Sequence, residues 1–357
     1  MLGIAGAAAA APLATPAIAQ GLQLLRLEAE WPEETPVTGN LAARLAERIA
    51  ATSGGRLTVE IVPPSAPAGG ASSGAFERAA SGQIDACLGA PGAWAAQIPA
   101  MAVFGPVPCG LTPREVEAWI HGGDGQLIWD QVAMEAGIKP VLLGDTVTGL
   151  AGWFRRVPAT AEDLSGLRMR VSGLGVPVLT ALGGRPVDLA PEEIAGALRG
   201  ERIDASESLG IAYDRTLGLT NSGATGLTPA LFAPSGAVAL AFNLRWWDGL
   251  PAETRAMVET CALAENDWLA ARVLDSWSRG FARASGEGTR FADVAQPLWS
   301  AVAEASDAVL ADLAAEDRFT AYAVDAFRQF RQDVGGWTLI SEGAYSEARA
   351  RALDLDS

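Results

Sequence analysis

Residues 152–219 decide the fold, and they read GWFRRVPATAEDLSGLRMRVSGLGVPVLTALGGRPVDLAPEEIAGALRGERIDASESLGIAYDRTLGL. Thr160 and Asp163 have the spacing of a capping box, with Asp in place of Glu. Residues 167–171 alternate apolar side chains with Arg168 and Arg170, which is typical of a strand whose two arginines share a face. The stretch continues with a helix, a strand at 186–189, a helix from Pro191 and a strand at 203–205. This β-α-β-α-β order, with short links, predicts an α/β domain.

Arg170 lies near the end of its strand, and Ser172, Gly173 and Gly175 follow it closely in the sequence. A strand end followed by glycines is where an open α/β sheet presents its crevice. A guanidinium at that place can hold a carboxylate with two parallel hydrogen bonds, which a lysine cannot do. The alternative interpretation is a surface arginine paired with Glu162 or Asp163.

The chain has 357 residues and a net charge of −16, and no uncharged apolar run after residue 20 is long enough for a membrane span. The length predicts two domains. The acidity argues against nucleic acid as a partner, because phosphate binding needs clustered Lys and Arg. Residues 1–19 are small and apolar and end in Ala-Ile-Ala, which predicts a signal peptide that lacks its basic N-terminal part. The alternative for this segment is an alanine-rich tail.

The inventory of reactive side chains favours binding over catalysis. His121 is the only histidine, and no glycine-rich dinucleotide or P-loop motif, nucleophile elbow or zinc pattern occurs. The three cysteines, Cys87, Cys109 and Cys261, form no disulfide framework. Buried free thiols are the favoured interpretation, and a Cys87–Cys109 bridge is the alternative.

Several motifs in the same order resemble the solute-binding receptors of TRAP transporters, the DctP-like family. They are GWFRR, DLSGLRMR, the run from PEEI to ERIDASE, and YDRTLGL, together with SGGRL at 53–57, ASGQID at 80–85 and FRQDVGGW at 330–337. The likeness is greatest to the branch associated with 2-oxo acids. It implies an α/β, two-lobed periplasmic binding protein (type II-like), with crossing strands and a helical C-terminal region, no enzymatic activity and a membrane permease as partner.

The resemblance also implies site residues. The arginine of the "MR" strand, here Arg170, holds the ligand carboxylate, and Trp153 matches the family's GWFR. We expect Trp94 and Phe232 to join Trp153 as aromatic walls, because each lies between a strand and a loop; ordinary core packing is the alternative for all three.

In the resembled branch a glutamate after "IDA" helps to hold a cation, and Glu207 matches it. Three positions depart from that branch: Gly149 replaces a glutamine, Ser208 a tryptophan and Ala233 a second glutamate. A hard cation needs about six oxygens, so Glu207 alone is not enough. We therefore predict no cofactor and no tightly held metal, with Glu207 as a weak candidate ligand, and a ligand-binding set that also includes Ser208 and Gly149.

The predicted domains are lobe I at 20–145 and 236–250, lobe II at 146–235, and a helical region at 251–357. The aromatic stripe from Phe319 to Trp337 predicts C-terminal helices that make a homodimer, as receptors of the resembled branch can. Packing of the stripe on its own lobes is the alternative.

Three function classes stay open from the residues. The leading one is a periplasmic receptor that delivers a small carboxylate, such as a 2-oxo acid, to a TRAP permease. The second is an enzyme that acts on a small acid through a pair of carboxylates. The third is a receptor subunit that signals to a membrane sensor.

Overall fold

The computed structural model of the chain describes residues 22–64, 74–145 and 149–355. The predicted signal peptide at 1–19 lies outside these ranges. No helix in the described ranges is long and apolar enough to cross a membrane.

Eleven strands in the described part of the chain form two sheets, one of five strands and one of six. Their bounds are β1 Gln23–Ala29, β2 Leu57–Ile61, β3 Ala86–Gly89, β4 Ile138–Asp145, β5 Gly152–Phe154, β6 Arg168–Arg170, β7 Arg185–Val187, β8 Ala205–Ser206, β9 Thr225–Thr228, β10 Ala237–Asn243 and β11 Phe291–Asp293.

Twelve α-helices connect and cover these strands in the described ranges, and short 3-10 and π turns lie between some of them. Their bounds are α1 Leu41–Ser53, α2 Ala75–Ser81, α3 Pro113–Glu117, α4 Gly125–Met134, α5 Gly175–Ala181, α6 Pro191–Arg199, α7 Ile211–Thr216, α8 Leu244–Asp248, α9 Ala252–Gly286, α10 Gln296–Ala314, α11 Arg318–Thr338 and α12 Ala344–Leu353.

The first sheet has the order β2-β1-β3-β10-β4, with β1 parallel to β2 and β3 and with β10 antiparallel to β3 and β4. β10 is buried along its whole length, because Val238 and its alternate neighbours pack on one core cluster while Ala239 and Ala241 pack on the other. The sequence of a strand that is buried on both faces is a continuous run of apolar residues, and residues 237–242 form such a run.

The second sheet has the order β11-β9-β5-β8-β6-β7. β6 is parallel to β7 and β8, and β5 is antiparallel to β8 and β9. The predicted β-α-β-α-β order within 167–205 is confirmed as β6-α5-β7-α6-β8, although the strands are shorter than predicted. A further short strand, β11, joins this sheet at its edge and is parallel to β9.

The chain passes from the first sheet to the second between β4 and β5 and returns between β9 and β10. The 35-residue helix α9 lies in the chain between β10 of the first sheet and β11 of the second, so it provides a third passage, and its Leu269 packs against Gly144 of β4. Its Trp277 packs against the core behind the first sheet and against the core that contains Trp153 of the second. The two-lobed α/β fold with crossing strands therefore agrees with the prediction.

The three cysteines are free thiols, so the alternative of a Cys87–Cys109 bridge is wrong for this structure. Cys87 and Cys261 are buried, whereas Cys109 is half-buried. Burial raises the pKa of the Cys109 thiol to about 11, and it raises that of Cys87 as well. These thiols are therefore protonated at neutral pH and weak as nucleophiles.

Candidate functional site

Arg170 and Glu207 meet where β6 and β8 end side by side in the second sheet. The register pairs Arg170 with Ser206, and the backbone N–H of Glu207 donates to the Arg170 carbonyl at 2.8 Å. The guanidinium Nη1 of Arg170 donates to Oε1 of Glu207, and Ser172 Oγ donates to the same oxygen at 2.5 Å. The alternative pairing of Arg170 with Glu162 or Asp163 is therefore wrong, since Arg156 is the arginine near Asp163, at 3.8 Å.

The guanidinium of Arg170 has N–H donors that are available to a ligand. Only its Nη1 makes a side-chain hydrogen bond within the described ranges, so Nε and Nη2 hold no partner there. The side chain is 15% exposed, which leaves part of the guanidinium accessible at the strand end. A carboxylate that reached this free edge would receive charge-assisted hydrogen bonds.

Glu207 is nearly fully buried, at 3% exposure, and its two oxygens differ. Oε1 accepts from Arg170 and Ser172. Oε2 is buried and has no hydrogen-bond partner among the described residues. A buried acceptor without a donor costs free energy, and a charged one costs more.

Asp214, at the end of the first turn of α7, is a second buried carboxylate beside this pair. It accepts from Trp153 Nε1 at 2.8 Å, from Ser208 Oγ at 2.5 Å and from the backbone N–H of Leu209 at 2.9 Å. Burial raises the pKa of Asp214 to about 6. The hydrogen bonds and the nearby positive charge of Arg170 act in the opposite direction and lower this pKa. Asp214 thus holds the segment that carries Glu207 and Ser208.

Trp153 and Ser208, two predicted ligand-binding residues, direct their polar groups into this network. Both are buried, and Trp153 is enclosed by the core that contains Ile211. Gly152 precedes Trp153 with φ +149°, and a Cβ there would lie 2.3 Å from the Ser206 carbonyl oxygen. Only glycine therefore lets β5 approach β8 closely enough for Trp153 to reach Asp214.

Phe232 and Gly149 lie at the edges of the same region. Phe232 is buried beneath Gly175, the residue that opens α5 after the Arg170 strand. Gly149, with φ +74°, lies next to Trp277, whose Cδ1 would be 3.7 Å from an added Cβ. Both positions are close to the elements that carry Arg170 and Glu207, and their contact with a ligand stays a prediction.

Trp94 belongs to the other sheet. It is buried after β3, stacks on Phe76 with ring centroids 4.8 Å apart, and donates from Nε1 to Glu30 Oε1 at 2.9 Å. Glu30 follows the C-terminal end of β1. Trp94 is therefore a support for Glu30 in the first lobe, and no direct contact joins it to Arg170 in the described ranges.

The side chains described at this site do not fit a calcium site by themselves. Glu207 offers only Oε2, and both oxygens of Asp214 are occupied by donors. Within the described ranges, no group of three or more His, Cys, Asp or Glu side chains is placed to hold a metal. A calcium ion takes six to eight oxygens. The absence of a tightly held cation stays a prediction.

Sequence reasoning missed three contributors to this region: Asp214, Ser172 and Trp277. Asp214 lies in the YDRTLGL motif, and Ser172 closely follows the "MR" strand. Both residues therefore belong to segments that resemble the family. Trp277 lies more than 60 residues away in α9, and only the tertiary structure brings it to Gly149 and Gly210.

Comparisons with known proteins give a consistent result. The sequence model of the family described as "Bacterial extracellular solute-binding protein, family 7" (DctP) matches residues 27–317. A monocarboxylate 2-oxoacid-binding periplasmic protein of Nostoc sp. is 26% identical over 247 residues, which are 69% of this chain and 68% of that protein.

Two solved structures share the fold. One is a TRAP periplasmic solute-binding protein of Colwellia psychrerythraea with bound calcium and pyruvate, at TM-score 0.83 and 25% identity, covering 91% of this chain and 99% of that one. The other is a TRAP transporter solute-binding protein of Bordetella bronchiseptica, a dimer with copurified calcium and picolinate in one of its sites. It has TM-score 0.85 and 22% identity, and covers 94% of this chain and 100% of that one.

Proposed function

The chain belongs to family 7 of the bacterial extracellular solute-binding proteins, and from this we propose that Arg170 binds the carboxylate of a small monocarboxylic acid. As a member of that family the protein is a solute-binding receptor of the TRAP type and not an enzyme. The observation that carries the proposal is the free guanidinium edge of Arg170, at a strand end and held in place by Glu207.

The charge of the surroundings supports an acid with one carboxylate. Glu207 is buried beside Arg170, and Asp214 is buried in the adjoining hydrogen-bond network. Glu207 and Asp214 would repel a second ligand carboxylate, because like charges at short range disfavour each other in a low-dielectric site. Pyruvate is the first probe, since the Colwellia relative holds it and the Nostoc relative is named for monocarboxylate 2-oxo acids.

We assign the ligand to the space between two lobes, with residues 20–145 and 236–250 as lobe I and 146–235 as lobe II. The chain passes between the sheets near Gly149 and again before Ala237, and these two positions support this division. Closure of such lobes over a ligand produces the form that a membrane permease would recognise. The protein would work in the periplasm, delivered there by the segment at 1–19.

We also propose a homodimer formed by the end of α11, the turn after it and α12. The predicted aromatic stripe divides: Phe319, Phe327 and Phe330 pack on the protein's own first-lobe core, whereas Trp337 is 67% exposed. Beyond Trp337, further large apolar side chains are exposed, namely Leu339, Ile340, Tyr345, Leu353 and Leu355. An exposed apolar surface of this kind normally meets a partner, and the Bordetella relative is a dimer.

A ligand panel tests the receptor function. Purified protein is melted with 2-oxo acids, 2-hydroxy acids, dicarboxylates, sugars and amino acids, with and without calcium and a chelator. A small monocarboxylate is expected to raise the melting temperature by several degrees, because a ligand stabilises the state that binds it by RT ln(1 + [L]/Kd). A rise with sugars or amino acids only would contradict the proposal.

A further inference from the structure

One tryptophan of α9 contacts both sheets beside the proposed binding site. Resting on the proposed monocarboxylate function, we propose that Trp277 is a positioning residue. Its indole sets the place of the turn that carries Glu207, the partner of Arg170, relative to the first sheet. The affinity for the acid then depends on a side chain outside the Arg170–Glu207 pair.

The middle of α9 is fixed to the first sheet by charge and by close packing. Glu265, which is fully buried, forms ion pairs with Arg44 at 2.9 Å and with Arg48 at 2.6 Å, both on α1. Leu269 packs on β4, where a Cβ on Gly144 would lie 2.3 Å from Leu269 Cδ2. Separation of a buried carboxylate from its cations is strongly destabilising. This part of α9 therefore keeps its place on the first sheet.

Trp277 lies about two turns further along the same helix and reaches the second sheet. A Cβ on Gly210 would lie 2.2 Å from Cζ2, 2.7 Å from Cε2 and 3.0 Å from Nε1 of Trp277. A Cβ on Gly149 would lie 3.7 Å from Cδ1 of the same ring. The indole therefore lies against the backbone at Gly210 and also faces the passage from β4 to β5.

The turn that ends at Gly210 carries the proposed site residues. The N–H of Glu207 donates to the Arg170 carbonyl at 2.8 Å, and the N–H of Gly210 donates to Ser208 Oγ at 3.0 Å. Ser208 Oγ in turn donates to Asp214 of α7 at 2.5 Å. The indole contact is thus three residues from the carboxylate that pairs with Arg170. Packed side chains and hydrogen bonds of this kind carry a shift from one position to the other.

A second contact keeps this turn against the helix. Gly280, on the next turn of α9, faces α7, and a Cβ there would lie 3.2 Å from Ile211 Cγ2 and 3.3 Å from the Ala212 nitrogen. The start of α7 therefore packs directly on the backbone of α9. The turn before α7 cannot move away from Trp277 without the loss of this packing.

The affinity for pyruvate, measured by titration calorimetry in two variants of α9, tests the proposal. Trp277→Phe replaces the indole that contacts Gly210 and should weaken binding roughly two- to thirtyfold, the range of indirect coupling through packed side chains. Trp268→Phe is the matched control. Trp268 is a half-buried tryptophan of the same helix, packs on the core behind the first sheet and lies 3.6 Å from the Arg44 guanidinium. Its replacement should leave the affinity unchanged.

A spectroscopic measurement separates positioning from general stability. Protein that contains fluorinated tryptophan gives one fluorine resonance for each of its 11 tryptophans. The resonances of Trp277 and Trp268 are those absent from the respective phenylalanine variants. Saturating pyruvate should shift the Trp277 resonance and leave the Trp268 resonance in place.

Gly210→Ala tests the same contact from the other side, because its methyl group meets the indole. It should weaken pyruvate binding more than Gly218→Ala, since Gly218 also has a positive φ but no atom within 4 Å of its Cβ position. In the double variant with Trp277→Phe the two losses should be less than multiplicative, because both changes act on one contact. The comparison of the two alanine variants stands even if Trp277→Phe does not fold.

Several results would overturn the positioning role. They are unchanged pyruvate affinity in folded Trp277→Phe, an equal loss in Trp268→Phe, a Trp277 resonance that does not move at saturation, and equal losses in Gly210→Ala and Gly218→Ala. Each of them leaves the monocarboxylate function intact, since wild-type protein still binds the acid. If pyruvate and every other monocarboxylate of the panel fail to bind the wild type, the function fails and this inference fails with it.

Discussion

Arg168 and Arg170 stand two residues apart on β6, yet their surroundings give them different roles. Arg168 makes a two-pronged ion pair with Asp204, through Nε at 2.8 Å and Nη2 at 2.7 Å, and its side chain is 40% exposed. Arg170 donates from one nitrogen, Nη1, to the buried Glu207, and its other nitrogens have no partner among the described residues. The same residue type on the same strand face is thus structural at one position and available for a ligand at the other.

The change Arg170→Ala should reduce affinity for the bound acid by about 2–5 kcal/mol, because it removes the charge partner of a desolvated carboxylate. Calorimetry with whichever acid the panel identifies measures the loss, and circular dichroism checks that the variant is folded. If removal of the charge beside Glu207 prevents folding, Arg170→Lys can be measured instead. That variant keeps the positive charge but lacks the planar pair of donors that holds a carboxylate with two hydrogen bonds.

Arg168→Ala is the matched control for this prediction. It removes the Asp204 ion pair from the neighbouring position of the same strand and should leave ligand affinity unchanged. Unaltered affinity in a folded Arg170→Ala protein would remove Arg170 from the site, and an equal loss in both variants would mean that β6 as a whole was disturbed.

At the scale of elements, the segment between β8 and α7 is shaped by packing against α9. Gly210, two residues after Ser208, has φ +99° and donates its N–H to Ser208 Oγ at 3.0 Å. A Cβ on Gly210 would lie 2.2 Å from Cζ2 of Trp277. The helix α9 therefore presses on the turn that positions the two predicted site residues.

Gly210→Ala should destabilise the protein by more than backbone strain alone. A positive φ costs an alanine about 1–2 kcal/mol, and the clash with Trp277 should add about 1–3 kcal/mol. Gly218→Ala is the control, because Gly218 has φ +77° with no atom within 4 Å of its Cβ position. Urea unfolding of both variants measures the difference; equal losses would show that the Trp277 contact is easily relieved.

Local patterns predicted many of these elements, and they failed where a contact from elsewhere decides. Thr112, Pro113 and Glu115 begin α3 with the capping box that their spacing indicates. Val37, by contrast, has the spacing of the α1 apolar face, but the helix begins at Leu41 and Val37 has φ +72°. The spacing of apolar residues does not predict the positive φ of Val37, because that conformation depends on how the loop before α1 packs on the first-lobe core.

At the scale of the whole molecule, the proposed dimer depends on apolar side chains near the end of the chain. Trp337→Ser combined with Ile340→Ser should turn a dimer into a monomer, because both side chains are exposed in the single chain and burying them would favour association. Light scattering on the size-exclusion peak at micromolar concentration gives the mass.

Leu274→Ser is the control for the dimer. Leu274 is 73% exposed on α9, so it is an apolar surface residue away from the proposed contact, and its replacement should leave the mass unchanged. A wild-type protein with the mass of a single chain would contradict the dimer.

The order of motifs in the sequence determined the fold class, the family and the place of Arg170. These follow from local rules: side-chain period distinguishes strands from helices, capping residues and glycines mark their ends, and an arginine at a strand end beside glycines indicates a crevice. The residues around GWFRR, DLSGLRMR and IDASE lie close together in sequence, and most of the site is built from them.

Only the tertiary structure decided which donors and acceptors are already used. Glu207 Oε1 accepts hydrogen bonds from Arg170 and Ser172, whereas Oε2 has no partner among the described residues. Asp214 accepts hydrogen bonds from Trp153 and Ser208. Such pairings depend on atoms within about 3 Å of each other after β5, β6, β8 and α7 have packed. The sequence of residues does not specify those distances, because burial and hydrogen bonding arise only when the strands and helices have packed together.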